Sequence, residues 1–281
     1  MKKILITGAN SYIGTSFEKY IKDNYPNDYT VDTVDMIDGS WRNKSFSGYD
    51  SVFHVAGIAH QKETKENASL YYKVNRDLAV ETAEKAKRDG VNQFIFLSSM
   101  SVYGMDIGVI TKATVPNPKS NYGKSKLQAE KSIGALEDER FKVCIVRPPM
   151  VYGEGCKGNF QTVIEIVKKF PVFPKVNNER SMIYIENLTS FISLCIENKM
   201  KGMFFHKNKE YVRNSDMARI IADTIHKKIW ISRIVGVGVC ALCPFIATAN
   251  KAFGNLIYKD TEDFDYSYCV VENDESIKFS L

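Results

Sequence analysis

The stretch KILITGANSYIGTSFEKYI, residues 3–21, indicates how the chain folds. An apolar run ends at Thr7, a turn containing Gly8 and Gly14 follows, and apolar residues then recur at helical spacing from Phe17 to Ile21. A strand, a glycine-rich turn and a helix in this order can bind a dinucleotide, because the amides of the turn and the N-terminus of the helix attract a pyrophosphate. We therefore expect this turn to bind a dinucleotide at the end of the first strand.

A second strand is predicted over residues 29–34, and Asp35 follows it. An acidic residue about 20 positions after the last glycine of the turn binds the ribose hydroxyls of NAD, whereas it would repel the 2′-phosphate of NADP. NAD is therefore the predicted cofactor. A solvated loop carboxylate is the alternative, and NADP is left open, because the segment from Asp35 to Asp50 is too short for a full helix and another strand. An abbreviated edge of the sheet is expected there.

Further buried strands are predicted over residues 51–55, 93–97 and 142–146, with helical patterns over residues 70–88 and from Asn121 to about residue 136 between them. This alternation predicts an α/β fold with a doubly wound parallel sheet, whose ligands lie at the carboxyl ends of the strands. Several segments follow strands at this edge, namely the glycine turn, Asp35, Ala56-Gly57, Ser99 and Pro148-Pro149.

The organisation of the chain changes at about residue 150. Residues 1–150 are predicted to form the dinucleotide-binding domain. Residues 151–281, in which short strands and helices are mixed, are predicted to form a smaller α/β lobe that faces the substrate, with segments that could return to the first domain. Residues 109–120 are expected to be a loop.

Tyr122 and Lys126 stand four residues apart in NYGKSK, residues 121–126, and this spacing places them on one face of a helix. A neighbouring ammonium favours a phenolate, so we expect Lys126 to lower the pKa of Tyr122 and make it a general acid–base group near neutral pH. Ser99 could align the substrate oxygen by a hydrogen bond. The spacing alone is common by chance; the surrounding strands and turns give it weight.

The composition is that of a soluble globular protein, with 44% hydrophobic and 25% charged residues in a chain of 281. The net charge of +5 is mild, and the basic residues are too dispersed to predict nucleic-acid binding. The apolar run at the N-terminus stops at Thr7, which is too early for a signal peptide, so a cytoplasmic location is expected.

The longest apolar run covers residues 234–247 and is shorter than the roughly 20 residues needed to span a bilayer. We expect a helix in the core or between subdomains here, with an interfacial membrane contact as the less favoured alternative. Cys240 and Cys243 form a lone C-x-x-C in this run, without a nearby His. This predicts buried structural thiols rather than a zinc or redox site, and no metal is predicted.

Taken in order, seven motifs make the chain resemble the extended short-chain dehydrogenase/reductase family, which contains nucleotide-sugar epimerases, dehydratases and reductases. The motifs are TGANSYIG (7–14), HVAG (54–57), VN (74–75), FLSSMSVYG (96–104), NYGKSK (121–126), RPPMVYGEG (147–155) and RSMIYIENL (180–188). The resemblance implies a Rossmann-like first domain that binds NAD(P). It also implies a UDP-sugar as the substrate and a homodimer as the oligomeric state.

The resemblance also implies roles for individual residues. It implies that the catalytic residues are Ser99, Tyr122 and Lys126. It implies that the cofactor-binding residues are Gly8, Asn10, Ser11, Tyr12, Ile13, Gly14, Asp35, Ala56, Gly57, Asn75, Tyr122, Lys126 and Pro148. It implies that the substrate-binding residues are Ser99, Met150, Asn159 and Arg180. From the sequence pattern alone, Asn75 could point inward, but a surface position is favoured.

Three departures from the family pattern bear on the reaction. Ser11 replaces the middle glycine of the turn, and Met150 replaces a common Asn, which leaves the orientation of the substrate open. Met100 and Ser101 stand where the dehydratases have an Asp-Glu pair, so the groups for eliminating water are missing and dehydratase chemistry is disfavoured.

We therefore expect NAD(P)-dependent modification at C4 of a nucleotide-activated sugar. A UDP-sugar 4-epimerase acting through a transient 4-keto intermediate, for cell-surface polysaccharide synthesis, is the first interpretation. A one-way UDP-4-keto-6-deoxy-hexosamine 4-reductase is the alternative. A catalytically silent NAD-binding regulator is a distant third, because the predicted catalytic residues are intact.

Overall fold

The computed structural model describes residues 1–59, 61–242, 253–260 and 265–281. The chain forms two compact units. Unit 1 comprises residues 1–104, 115–148 and 188–206, and unit 2 comprises residues 105–114, 149–187 and 207–281. The roles expected of the two units, cofactor binding and substrate binding, stay predictions.

Strands and helices alternate over much of the described part of the chain. The strands are β1 (Lys2–Thr7), β2 (Tyr29–Val34), β3 (Ser51–His54), β4 (Gln93–Leu97), β5 (Gly108–Ile110), β6 (Lys142–Val146), β7 (Met150–Tyr152), β8 (Val172–Pro174), β9 (Met182–Tyr184), β10 (Gly202–Phe204), β11 (Trp230–Ser232) and β12 (Leu256–Tyr258). The helices are α1 (Tyr12–Asn24), α2 (Ala68–Tyr72), α3 (Ala79–Arg88), α4 (Asn121–Gly134), α5 (Asn159–Lys169), α6 (Ile185–Glu197), α7 (Asn214–Thr224), α8 (Arg233–Leu242) and α9 (Asn273–Lys278).

Unit 1 is built on a six-stranded sheet in the order β10-β6-β4-β3-β1-β2, and each pair of neighbouring strands is parallel. The register pairs Thr7 with Val34 and with His54, and it pairs Leu97 with Val146. The carboxyl ends of these strands are therefore level. The α/β fold and parallel sheet predicted from the sequence are confirmed, and the segments expected to bind ligands leave the sheet at one edge.

The connection between β2 and β3 is short, as the sequence predicts. It contains one turn of 3₁₀ helix, Ser40–Asn43, in place of an α-helix. Trp41 and Phe46 from this connection are almost fully buried and stack with ring centroids 6.4 Å apart. They belong to the apolar cluster that packs on this sheet, so two large side chains cover the apolar surface that a helix would otherwise bury.

The helical segment after β3 runs over residues 68–88 but is not uniform. Between α2 and α3, residues Lys73–Leu78 adopt a π-helical turn. Such turns are rare and rotate side chains out of the α-helical pattern. Asn75 lies in this turn and is fully buried, so the surface position that the sequence favours for it is wrong.

The described residues of unit 2 contain three separate pairs of short parallel strands, β7 with β9, β8 with β11, and β5 with β12. The expectation of a loop over residues 109–120 is wrong at its start, because β5 pairs with a strand nearly 150 residues away along the chain. A pairing at that separation leaves no signal in the local sequence.

The apolar run after residue 233 forms α8 in its first part. The expected burial is wrong for Ile234 and Val237, whose exposed fractions are 82% and 71%. Residues 243–247 of the run, and with them Cys243, lie outside the described residues, and the side chain of Cys240 is not described. Within the ranges that the structure describes, no helix is long and apolar enough to cross a bilayer.

Candidate active site

The glycine-rich turn leaves β1 at the carboxyl edge of the sheet. Gly8 has a φ of +119°, and a Cβ at this position would lie 2.7 Å from the backbone nitrogen of Ala56. Both the conformation and the close approach require glycine. The amide of Gly8 donates to the carbonyl of Val34, and that of Ala56 donates to the carbonyl of Thr7, so the ends of three strands are held together here.

Ser11, which replaces the middle glycine of the family pattern, is the N-cap of α1. Its φ is −74°, so the position needs no glycine, and its Oγ accepts a hydrogen bond of 3.3 Å from the amide of Gly14. Asn10 before it has a φ of +63°, and Tyr12 and Ile13 open the helix. Asp35 is exposed at the end of β2, and its Oδ1 accepts from the amide of Ile37 at 2.7 Å.

A second group of predicted cofactor residues meets at the end of β3. Asn75 Oδ1 accepts a hydrogen bond of 2.8 Å from the amide of Ile58, and Asn75 Nδ2 donates one of 3.1 Å to the carbonyl of Ile58. A Cβ on Gly57 would lie 2.9 Å from Asn75 Oδ1 and 3.5 Å from Lys126 Nζ. The structure thus brings Gly57, Asn75 and Lys126 together, and the missing side chain of Gly57 leaves the space above the amide and the ammonium open.

Two side chains hold the N-terminus of α4, which carries Tyr122. Ser120 Oγ accepts from the amide of Gly123 at 3.1 Å. The carboxylate of Glu63 accepts from the amides of Asn121 and Tyr122 at 2.9 Å and 3.0 Å. An anion at a helix N-terminus is stabilised by the free amides and by the helix dipole. The sequence analysis missed Glu63, because nothing in its polar loop indicates which helix it caps.

Tyr122 is half-buried, and burial raises the pKa of its phenol above the ordinary value. The hydroxyl of Ser99 lowers this pKa and offsets the effect of burial only in part. The expectation that Lys126 lowers this pKa is therefore wrong for the protein alone. The spacing on the helix is as predicted, but the desolvation of the phenol decides the direction of the shift.

Lys126 is buried, and its ammonium donates a 2.8 Å hydrogen bond to the carbonyl of Leu97 at the end of β4. The Nζ also lies 4.7 Å from the centroid of the Phe96 ring. Burial lowers the pKa of Lys126 to about 8, although Glu130 one turn further along α4 raises it. The amine of Lys126 therefore changes its charge close to neutral pH.

A buried ion pair behind this lysine was not predicted from the sequence. Arg147, directly after β6, bonds Glu130 through Nε at 2.9 Å and Nη2 at 2.5 Å. Arg147 also donates to the hydroxyl of Tyr103 at 2.8 Å, and Ser98 donates to Glu130. The pair therefore ties α4 to the ends of β4 and β6, and it fixes the helix on which Lys126 and Tyr122 stand.

His54 ends β3 next to these residues and is fully buried between aromatic rings. Its Nδ1 is 2.8 Å from Thr7 Oγ1. Burial, with a further contribution from the nearby Lys126 charge, lowers the pKa of His54 to about 3. The imidazole is therefore neutral at physiological pH.

The remaining predicted site residues lie on other segments. Pro148 of unit 1 is buried, and its carbonyl accepts from the amide of Met100 at 2.9 Å, beside Ser99. In unit 2, Met150 is half-buried in β7, Asn159 is exposed at the start of α5, and Arg180 is nearly buried and donates to the carbonyl of Gly254 at 2.9 Å. The three residues of unit 2 stand on separate segments, and their role in substrate binding stays a prediction.

These residues fit an NAD molecule. The glycine turn at the start of a 13-residue helix suits a pyrophosphate, Asp35 stands at the end of the neighbouring strand, and the open space at Gly57 lies over Asn75 and Lys126. No step of this fit depends on a metal: among the described residues, no group of His, Cys, Asp or Glu side chains is suited to hold one.

Comparison with known proteins agrees with this geometry. Residues 4–205 match the family model described as the NAD dependent epimerase/dehydratase family. The UDP-glucose 4-epimerase of Vibrio cholerae is 32% identical over 82% of this chain and 77% of its own length. The N-acetyl-α-D-glucosaminyl-diphospho-ditrans,octacis-undecaprenol 4-epimerase of Escherichia coli is 26% identical over 80% of this chain and 73% of its own.

Two solved structures illustrate the likeness of the fold. The UDP-glucuronic acid 4-epimerase of Bacillus cereus in complex with NAD has a TM-score of 0.73 and 18% identity, covering 99% of this chain and 94% of its own. A dTDP-4-dehydrorhamnose reductase of Clostridium acetobutylicum has a TM-score of 0.67 and 23% identity, covering 82% and 83%. The family resemblance, the enzyme class and the NAD cofactor expected from the sequence are confirmed. The chain belongs to the NAD-dependent epimerase/dehydratase family.

Proposed function

We propose that the protein is a UDP-sugar 4-epimerase that serves the synthesis of a cell-surface polysaccharide. The observation that carries the proposal is that Ser99, which follows β4 at the carboxyl edge of the sheet, acts on the phenol of Tyr122, and that the helix of Tyr122 also carries the buried Lys126. A phenol and a hydroxyl so placed can share the proton of a substrate alcohol. The 32% identity to the Vibrio cholerae UDP-glucose 4-epimerase supports a sugar nucleotide as the substrate.

Each side chain has one task in this reaction. NAD, when bound, supplies the acceptor and donor of hydride at C4 of the sugar. Tyr122 takes the proton from the C4 hydroxyl and later returns it, and Ser99 holds the C4 oxygen by a hydrogen bond. Tyr122 can accept the C4 proton only as the phenolate, so it must first release its own proton to solvent; burial opposes this by raising the pKa of Tyr122, and the hydroxyl of Ser99 favours it.

The test uses UDP-glucose and UDP-N-acetylglucosamine, each incubated with the purified protein and no added reductant. We expect each active substrate to equilibrate with its C4 epimer. Tyr122→Phe should lower kcat by about a hundredfold or more, because it removes a general acid–base group. Tyr72→Phe is the matched control: Tyr72 bonds Asn121 Oδ1 at 3.1 Å, beside the same helix end, but has no proposed role in proton transfer. Equal activity of Tyr122→Phe and the wild type would refute the assigned chemistry.

The one-way 4-keto reductase is the second candidate. The segment RPPMVYGEG, residues 147–155, followed by GNF at residues 158–160, resembles that branch of the family. A reductase would give no epimer in the experiment above and would consume reduced cofactor only when a UDP-4-keto sugar is supplied. The two results exclude each other.

The carrier of the sugar also needs a direct test. The Escherichia coli relative is named for a sugar on undecaprenyl diphosphate rather than on a nucleotide. We therefore include undecaprenyl-diphosphate-linked N-acetylglucosamine in detergent as a third substrate. Preference for the UDP-sugar supports the proposal, whereas turnover of the lipid-linked sugar alone moves the reaction to a membrane-bound substrate.

A further inference from the structure

The outer side of α8 in unit 2 is apolar and exposed. The exposed fractions are 67% for Trp230, just before the helix, 82% for Ile234 and 71% for Val237. Ile234, Val237 and the exposed Ala241 recur at intervals of three and four residues, so they form one stripe along the helix. We call Trp230, Ile234, Val237 and Ala241 the α8 surface.

The opposite side of α8 fixes this orientation. Gly236 is buried, and a Cβ there would lie 2.1 Å from the carbonyl oxygen of Lys175. The helix therefore lies directly on the backbone that follows β8, and the α8 surface points away from it. A helix with one side in water normally carries polar residues on that side. Arg233 is the one charged residue of α8, whose sequence is RIVGVGVCAL.

The sequence around the α8 surface is basic. Residues 224–259, between Asp223 and Asp260, contain no Asp or Glu and five basic residues, which are Lys227, Lys228, Arg233, Lys251 and Lys259. Lys228 and Arg233 are exposed; Lys228 stands two residues before Trp230, and Arg233 directly before Ile234. Lys227 instead bonds the carbonyls of Val167 and Lys168 at 2.7 Å and 2.5 Å, which anchors this segment to the end of α5.

An exposed aromatic and a basic side chain also stand just before β8, the strand that pairs with β11. The amide of Trp230 donates to the carbonyl of Pro171 at 2.8 Å. Phe170, one residue earlier, is 49% exposed, and Lys169 Nζ lies 5.5 Å from the centroid of its ring. Trp230 and Phe170 therefore stand at the same end of the β8–β11 pair; the exposed Lys169 directly precedes Phe170, and the exposed Lys228 stands two residues before Trp230.

We propose that the α8 surface docks on the face of a lipid bilayer that contains anionic lipids. Aliphatic side chains enter the boundary of the acyl chains, Trp favours the headgroup level, and Lys and Arg attract anionic headgroups. The apolar run that contains this helix covers residues 234–247, which is 14 residues and fewer than the roughly 20 needed to span a bilayer. The helix therefore lies on the membrane and does not span it.

The charges favour a membrane over a second copy of the chain. In a symmetric dimer the same patch meets itself. Lys228 and Arg233 would then face the same two residues of the other copy, and no acidic residue of this segment would compensate them. The inference goes beyond the proposed function and does not depend on which sugar carrier the enzyme uses.

The first experiment is co-sedimentation of the full chain with two kinds of vesicle, phosphatidylcholine alone and phosphatidylcholine with about a third phosphatidylglycerol. We expect the wild type to bind the anionic vesicles at least about tenfold more tightly, and added salt to weaken this binding. Ile234→Ser combined with Val237→Ser should weaken binding to the anionic vesicles by about tenfold or more. Val237→Ser is also made alone, and Val115→Ser is its control, because Val115 is a valine that is 80% exposed on unit 1.

The second experiment reverses charges. Lys228→Glu with Arg233→Glu should remove most of the preference for anionic vesicles, whereas Lys19→Glu with Lys22→Glu on the exposed side of α1 should leave it unchanged. The circular dichroism and thermal unfolding of each variant confirm that it is folded.

Three results would overturn the inference. The first is a wild type that binds neither kind of vesicle, and the second is a loss of binding in the control variants on unit 1 as large as that in the α8 variants. In the third, the α8 variants change the molecular mass in solution without affecting vesicle binding, which would identify the α8 surface as an interface between copies of the chain. Sugar turnover does not enter these readouts, so a failure of the proposed function would leave them unaffected.

Discussion

Replacing one partner of the buried pair of Glu130 and Arg147 should destabilise unit 1 strongly, whereas replacing both should not. Their side chains are 3% and 4% exposed and share two hydrogen bonds. Removing one partner leaves the other as an uncompensated buried charge, which costs about 3 to 5 kcal/mol. Replacing both by apolar residues of similar volume leaves no such charge and is often close to neutral. We therefore expect Glu130→Leu and Arg147→Met each to destabilise unit 1 by about 3 to 5 kcal/mol, and the double variant to cost less than either.

The chain offers a reporter for this measurement. Its two tryptophans are Trp41, buried in unit 1, and Trp230, exposed in unit 2. In a Trp230→Phe background, the fluorescence of Trp41 follows the unfolding of unit 1 in urea. The four proteins of the double-mutant cycle then give the coupling energy between Glu130 and Arg147. Single variants whose effects add to within about 0.5 kcal/mol would mean that the pair is not coupled, and the reasoning would fail.

The same two single variants also test whether Glu130 affects the pH dependence of activity through Lys126. Glu130 raises the pKa of Lys126, which burial holds at about 8. Glu130→Leu should therefore lower the pKa of Lys126 further and move the alkaline limb of the pH–activity profile to lower pH. Arg147→Met removes a charge of the other sign and keeps the carboxylate, so its profile should not move in this direction. A profile that is identical in both variants would show that Glu130 acts on stability alone.

Single contacts give three further predictions. Gly57→Ala would place a Cβ 2.9 Å from Asn75 Oδ1 and should weaken NAD binding by about tenfold or more, as measured by fluorescence titration, whereas Gly134→Ala, with nothing within 4 Å, should leave it unchanged. Asn75→Ala removes both bonds to the Ile58 backbone and should lower the free energy of unfolding by about 1 to 3 kcal/mol in urea, with full stability in this variant contradicting the assigned contacts. The pKa of His54 is about 3 in the folded protein and about 6.5 in the unfolded chain, so between these two pH values the unfolded chain binds more protons. The neutral His54 therefore contributes fully to stability above pH about 6.5, and the free energy of unfolding should fall by about 3 kcal/mol at pH 4.5. Urea titrations across this pH range should show no such loss for His54→Asn.

The strands and motifs of unit 1 are the part of the molecule that can be predicted from sequence. An apolar run of four to six residues, a glycine turn and a helical repeat are local patterns, and their order along the chain dictates a parallel sheet with its ligands at one edge. The positions of Gly8, Ser99 and Tyr122 follow from that order alone. The short connection between β2 and β3 was equally predictable, because the number of residues between Asp35 and Asp50 limits what can form there.

The contacts that decide the chemistry were not predictable in this way. Glu63 caps α4 across nearly 60 residues of sequence, and Glu130 finds Arg147 on another element. From the sequence, any of the acidic residues could pair with any of the basic residues, and only the folded structure shows which pairs form. The pKa of Tyr122 is a further case: the spacing gave the neighbour, but the burial of the phenol set the direction of the shift.

The sequence by itself determined the family, the parallel sheet and the residues that face its carboxyl edge, because these depend on periodicities and glycine positions within short windows. The tertiary structure decided which charges pair, which amine titrates near neutral pH, and that the apolar side of α8 is exposed. The physical reason is that burial and pairing are properties of what surrounds a side chain in space. Segments far apart in the chain supply those surroundings, and a local pattern carries no record of them.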